Sequence, residues 1–521
     1  MKKIYSKLLK ATTKKFQVLT LLFLILIGLI IRFQPGKNQF LWNTSDYPRD
    51  AYLMRKMVQN QDLILIGPRA EIFDPISQGY FVFHGPLYYY LLAPFYFMSH
   101  GDPNLPLSFN ILIHISALIP IWLLTKKITP NKFAPLIIGI LWVFSTEQIE
   151  YSRWLLNPAM AVPFLAWFIY GLWQMIDQQK YFFLTGLSLG LAIQNEIFLG
   201  YLLLSVGFFF LMKKFPMKKA ILFISGLSLG LSPLILAEIK FKFRMSHSLF
   251  RYVYFGGADE LSWFTKISRL VDHLLVVGKH NLFGFSGLLS LLFFFFALFY
   301  LTKKTKNTKI VNFVFLASVL FSAHLLLFFT SFQNSIYIDL GLGLIFLITS
   351  GILLAELKCF PAILLMLLII GSQLQLNYQH QQTQLPFGGN FFLKSDIMLY
   401  QQRLDIAEKI YQLSADNDFS ISVLETPYGW PTMWASIFEQ LSRQKHYPLP
   451  HWYGFYVRGV GGDDIFTTTD QPLVNHFVLY PQTQIIDQTT INQFFTSQNL
   501  TSTLIKTYQI NNYTIEQRKS K

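Results

Sequence analysis

The chain is written as long apolar runs separated by short polar knots. Runs such as "FQVLTLLFLILIGLIIRF" from Phe16 and "FGFSGLLSLLFFFFALFYL" from Phe283 approach or exceed the roughly 20 apolar residues needed to cross a hydrocarbon core of about 30 Å. They lack the alternation of a lipid-facing barrel strand, and lipid offers no partner to a free peptide group. The pattern therefore predicts a polytopic α-helical membrane protein. Eleven spans are predicted, at roughly 16–33, 107–125, 134–147, 159–176, 181–196, 197–212, 219–237, 286–302, 310–330, 336–354 and 360–376, of which those near 134–147 and 181–196 are short. Gly85–Met98 is apolar but short and is interrupted by Pro86 and Pro94; it reads as a helix lying in or dipping into the membrane interface. After Asn377 the pattern turns mixed. A helical stretch near Asp396–Leu413 and short β-like runs, "FSISVLE" and "NHFVLYP", predict a small α/β domain.

The polar knots set the expected topology. With the lysine-rich amino terminus in the cytoplasm, the knots at Lys126, Lys213, Lys303 and Glu356 all fall on the same side after an even number of spans. The opposite side then holds a long first loop (34–106), a short segment around Glu147–Pro158, a loop around Glu238–Ser286 and the tail. The expected organisation is a transmembrane domain at 1–376, carrying a catalytic first outer loop, and an extracytoplasmic domain at 377–521. The amino terminus reads as an uncleaved signal anchor, because no small-residue cleavage site follows the first run.

Composition agrees with a membrane protein: of 521 residues, 52% are hydrophobic and only 14% charged, too few charges for a soluble chain of this length. The net charge of +15 sits in the knots rather than on one amphipathic face, so it speaks for topology and against nucleic acid. The single cysteine, Cys359, excludes an internal disulfide and a cysteine metal cluster.

The first outer loop opens with "DYPRDAYLMRKM", giving Asp46, Arg49 and Asp50, and reaches "HGPL" at His84. An acidic residue just after span one, an arginine three residues on and a basic residue before a proline helix start resemble the glycosyltransferase C superfamily. More narrowly the chain resembles family 39 and its bacterial relatives, among them protein O-mannosyltransferases and the lipid A aminoarabinose transferase. The resemblance covers roughly residues 16–376. It implies a fold of that type with about eleven transmembrane helices and interfacial loop helices, a polyprenyl-phosphate-linked sugar donor, a hydroxyl acceptor on protein, lipid or glycan, and a bacterial plasma membrane.

By the same resemblance Asp46 takes the place of the catalytic aspartate, Arg49 that of the loop arginine and His84 that of a phosphate-facing basic residue. Asp50 matches an "RDA" frequent in bacterial relatives, and either aspartate can be the base. "RWLLNPAM" resembles a segment with a second outer aspartate; here Asn157 stands in its place, with Arg153 nearby. Arg244, His247 and Arg251 fall where the second large outer loop opens, and Tyr337 matches a tyrosine that precedes prolines in relatives, although the prolines are missing.

Elementary chemistry runs parallel to the resemblance. A phosphate leaves as a stable anion and needs cations to hold it, whereas an acceptor hydroxyl needs a base. One carboxylate with a basic cluster fits inverting transfer better than glycoside hydrolysis, which uses two paired carboxyls. No metal is required by such a site. Each assignment has a plainer rival: Arg49 and Asp50 as a structural ion pair, His84 as a helix-start residue, and Arg244, His247 and Arg251 as solvated interfacial charges. The competing class is a transporter or lipid flippase, which would place charge at mid-span. Asp339 is the main candidate for that here, and no inverted repeat is visible.

Overall fold

A computed structural model describes residues 2–33, 41–42, 46–67, 82–255, 262–329, 339–383, 398–415, 417–424, 431–454, 467–482 and 488–521. Contacts within the chain divide it into two compact units. The first comprises Met1–Gln34, Ile64–Tyr88 and Asn110–Gln382; the second comprises Pro35–Leu63, Tyr89–Phe109 and Thr383–Lys521. The first loop is thus split between the two units, and much of it belongs with the carboxy-terminal residues.

The helices of the first unit are α1 (Lys2–Phe33), then, after α2 (Asp46–Gln59) and α3 (Leu87–Met98), the second half of α4 (Asn104–Ile115), α5 (Leu118–Ile128), α6 (Ala134–Phe144), α7 (Thr146–Ser152), α8 (Asn157–Gln178) and α9 (Phe182–Asn195). A 3-10 turn, Ile197–Tyr201, leads to α10 (Leu202–Lys213), α11 (Met217–Gly230), α12 (Ser232–Lys240), α13 (Arg244–Phe255) and α14 (Trp263–Asn281). There follow α15 (Gly287–Lys304), α16 (Thr308–Phe329), α17 (Leu342–Glu356) and α18 (Cys359–Thr383). Among the described residues six helical stretches are long and apolar enough to cross a membrane, or seven if the bent pair α11–α12 is one span. Four shorter apolar helices accompany them, and each of the eleven predicted spans overlaps one of these segments. Apolar residues on α1 at Phe16, Leu19, Phe23, Leu26 and Ile30 are exposed at helical spacing while Leu24 is buried, as expected of a helix with one face toward lipid. The protein is an integral membrane protein.

Polar contacts inside this unit sort its loops into two ends. At one end Lys126 donates to Gln17 (2.7 Å), Thr129 to Glu356 (3.2 Å) and Lys219 to the carbonyl of Gln179 (3.0 Å). At the other Arg32 donates to the carbonyl of Val143 (3.2 Å), Asn110 to that of Ser152 (2.8 Å) and Ser145 to Asn281 (2.9 Å). The close approach of α9 and α11 has a local cause. Both carry Gly-Leu-Ser-Leu-Gly, at Gly186–Gly190 and Gly226–Gly230, and a Cβ on Gly186 or Gly226 would overlap the other helix's backbone at Phe223 or Phe183. Small residues spaced by four let helices meet where lipid provides no hydrophobic drive.

The second unit contains α2, most of α3 and a six-stranded mixed sheet. Its strands after β1 (Leu41–Trp42) and β2 (Met398–Leu399) are β3 (Ser420–Val423), β4 (His451–Tyr453), β5 (Thr467–Thr469), β6 (Asn475–Pro481), β7 (Ser502–Ile510) and β8 (Tyr513–Ser520), in the order β5-β4-β3-β6-β8-β7. The first four run parallel and β8 is antiparallel to both β6 and β7. Helices α19 (Tyr400–Ser414), α20 (Thr432–Lys445) and α21 (Gln488–Thr501) complete it. Trp434, Phe438, Ile421, Phe477 and Leu479 are fully buried and form its core. The predicted α/β character, the helix near 396–413 and the strands in "FSISVLE" and "NHFVLYP" are all present.

Candidate functional site

The opening segment "DYPRDAYLMRKM" is helical. Asp46 is the first residue of α2, a position where a carboxylate stabilises the unsatisfied N–H groups of the first turn. Its side chain lies outside the described residues. Asp50 follows one turn later and is wholly buried. Its Oδ1 accepts from Arg49 Nε (3.0 Å) and Nη2 (2.9 Å) and from the hydroxyl of Tyr89 (3.1 Å). Asp50 and Arg49 therefore form an ion pair within α2, and the Tyr89 hydroxyl ties Asp50 to α3. Tyr47 is buried beside them. Burial first, and then the neighbouring Tyr96, Tyr400, Asp102 and Asp50, holds its hydroxyl well above the usual tyrosine range, so it stays protonated.

His84, Arg153, Asn157, Arg244 and His247 all belong to the first unit. The strand-like segment around His84 is pinned by its backbone: the carbonyl of His84 accepts from Gly67 (2.8 Å), and Gly85 donates to the carbonyl of Gln194 (2.7 Å). Next to it the N–H of Phe83 reaches the sulfur of Met245 (3.4 Å), and Val82, Phe198, Leu234 and Met245 share one apolar cluster. The structure thus brings the His84 segment against the start of α13, which carries Arg244 and His247, both exposed. The side chain of Arg251 and the whole of Tyr337 lie outside the described residues. Glu238, at a predicted span end, accepts from the backbone N–H of Met245 (3.0 Å) and Ser246 (2.9 Å) and so caps α13. Asn157 opens α8 and is buried. Arg153 closes α7, with burial lowering its pKa and Glu150 nearby opposing that shift.

Two polar clusters escaped the sequence reading. The first contains Asp339, the main candidate for a mid-span charge, whose partners the sequence does not reveal. It is buried and bridges two histidines, with Oδ2 2.6 Å from His273 Nδ1 and Oδ1 3.4 Å from His324 Nε2, while His324 Nδ1 faces the hydroxyl of Tyr201 at 3.3 Å. A histidine inside an otherwise apolar run such as "FSAHLLLFF" was the available signal. In the second cluster Glu150 pairs with His380 (2.5 Å), the His280 ring lies tilted against that of His380 with centroids 5.3 Å apart, and Glu147 accepts from Asn281 (2.6 Å). Among the described residues no group of three or more His, Cys, Asp or Glu side chains is arranged to hold a metal ion.

No protein-family model matches the sequence, and no curated protein does. Solved structures do. ArnT from Cupriavidus metallidurans bound to undecaprenyl phosphate aligns with a TM-score of 0.56 at 8% identity, covering 96% of this chain and 97% of that one. The same protein in its apo state aligns with a TM-score of 0.56 at 9% identity, covering 97% and 98%. Identity this low makes the likeness one of fold, and nearly the whole of both chains takes part in it. The chain accordingly shares the fold of ArnT over nearly its whole length.

Proposed function

We propose that the protein is a membrane glycosyltransferase that moves a sugar from a polyprenyl-phosphate donor to an acceptor hydroxyl, with inversion, on the outer face of a bacterial plasma membrane. The observation that carries this reading is the shared fold over almost the full chain with ArnT, one structure of which holds undecaprenyl phosphate. Asp46 opens the helix that follows the first span in the sequence, which suits a base for a donor whose polyprenyl tail stays in lipid.

In this mechanism Asp46 takes the proton of the acceptor hydroxyl as it attacks the anomeric carbon. Asp50, already engaged by Arg49 and Tyr89, shapes the helix rather than the reaction. The leaving phosphate is held by His84 together with Arg244, His247 or Arg251, whose segments pack side by side around Val82 and Met245. Arg153, Asn157 and Tyr337 belong to the substrate side of the same proposal, and the chemistry needs no metal. Eleven spans, with the amino terminus inside and the carboxy-terminal domain outside, complete it. Family 39 membership and a mannosyl donor remain the narrower expectation.

The test is incubation of the purified protein with a panel of radiolabelled polyprenyl-phosphate sugars and membrane extract, following label into protein, lipid and glycan fractions. Label in one fraction that disappears in Asp46→Asn supports the reading. A wild-type protein that binds such donors and moves them across a bilayer without transfer would replace it with a flippase.

A further inference from the structure

The carboxy-terminal residues surround α2 from both of its ends. Upstream, β1 pairs antiparallel with β2, Leu41 opposite Leu399 and Trp42 opposite Met398, and β2 runs straight into α19. Asp46 lies four residues after Trp42. Downstream, α2 packs on α20. There Arg55, almost buried, makes a close ion pair with Glu439, which also accepts from Arg443 one turn on at 2.8 Å. The Arg55 guanidinium lies over the ring of Tyr52, 4.7 Å from its centre. Between the two anchors the inner face of the helix, Tyr47, Ala51 and Met54, is buried in the same unit. From Asp46 to Arg55 is nine residues, or roughly 13 Å of helix. The helix that begins with the proposed base is thus fastened by elements from the far end of the sequence.

We propose that the carboxy-terminal domain is the mount of α2, and that Glu439 is a positioning residue that sets Asp46 through Arg55. This rests on the transferase reading. The Arg55–Glu439 pair, with Arg55 buried and Glu439 partly so, resists rotation and sliding of the helix, because either motion would separate the buried Arg55 from its counter-charge, while the exposed Arg443 holds Glu439 from the solvent side. The reaction is sensitive to such motion: a displacement of about 1 Å of a reacting group costs on the order of 100-fold in rate.

The experiment uses the full-length protein in lipid nanodiscs, as wild type, Glu439→Gln and Glu439→Asp. Hydrogen–deuterium exchange is followed in peptides covering 46–59, with peptides from β6 and β8 as the internal control. Transfer is followed as kcat and KM for the donor identified with the sugar panel. In Glu439→Gln the amides of α2 should exchange at least about tenfold faster while β6 and β8 keep wild-type protection. kcat should fall by about 10- to 100-fold with the donor KM within about threefold, and Glu439→Asp should recover most of the rate. Unchanged exchange in α2 overturns the proposal. So does an equal loss of protection across α2, β6 and β8, which marks Glu439 as a general stabiliser of the domain. If the wild type transfers no sugar, the transferase reading fails, and the exchange data still decide whether Glu439 anchors α2.

Discussion

The two aspartates of α2 should separate cleanly when each is changed to asparagine. Asp50 is wholly buried and accepts three hydrogen bonds on one oxygen, two of them from Arg49, whose side chain is 11% exposed. Breaking a buried pair by neutralising one member leaves the other uncompensated, at about 3–5 kcal/mol. Asparagine keeps an acceptor, so Asp50→Asn should fall at the lower end, near 3 kcal/mol. Tyr89→Phe removes one bond to a charged acceptor and should cost about 1.5 kcal/mol. A double-mutant cycle of Asp50→Asn with Arg49→Gln should return a coupling energy of about 2 kcal/mol, because the residues share the contact. Asp46→Asn behaves differently: asparagine starts a helix as well as aspartate does, so stability should change by less than about 0.5 kcal/mol. Turnover should nevertheless fall at least about 100-fold, the lower end expected for loss of a general base. Unfolding of the purified protein in detergent, followed by tryptophan fluorescence, reads the first quantity, and transfer per folded molecule reads the second. An Asp50→Asn protein as stable as wild type but unable to transfer sugar would refute this division of labour and make Asp50 the base.

Three further expectations follow from the fold. On a Cys359→Ser background, cysteine at exposed Gln412 should react with an impermeant thiol reagent in intact cells and cysteine at exposed Lys306 should not; the reverse pattern would invert the topology and remove the mechanism. His476 is buried among Ser420, Ser422 and Gln498, and burial lowers its pKa from 6.5 to about 4. The unfolded chain therefore takes up this proton first. The stability of the sheet should be full above about pH 6.5 and decline by up to roughly 3 kcal/mol as pH falls to about 4, a dependence lost in His476→Gln and read by exchange protection of β6. Gly226→Leu should destabilise the α9–α11 contact by about 1–3 kcal/mol or more in thermal unfolding, while Gly207→Leu, which faces open space, should be near neutral; equal effects would mean that the paired Gly-Leu-Ser-Leu-Gly segments do not determine the packing.

What the sequence by itself determined is what depends on local pattern. The apolar segments and the strands around Ile421 and Phe477 follow from run length and alternation. Each of these is a property of neighbours along the chain, and the membrane enforces it because unsatisfied backbone in lipid is so costly. The tertiary structure alone decided which distant polar groups meet. Asp339 could be recognised as an unusual acid, but not that His273 and His324 would close on it; Glu150 gave no sign of His380. The split of the first loop between two units was equally hidden, since nothing in "DYPRDAYLMRKM" points to Glu439 almost four hundred residues later. Buried ion pairs of this kind are set by the packing of whole elements, and a pairwise contact between remote residues leaves no periodic trace in a single sequence.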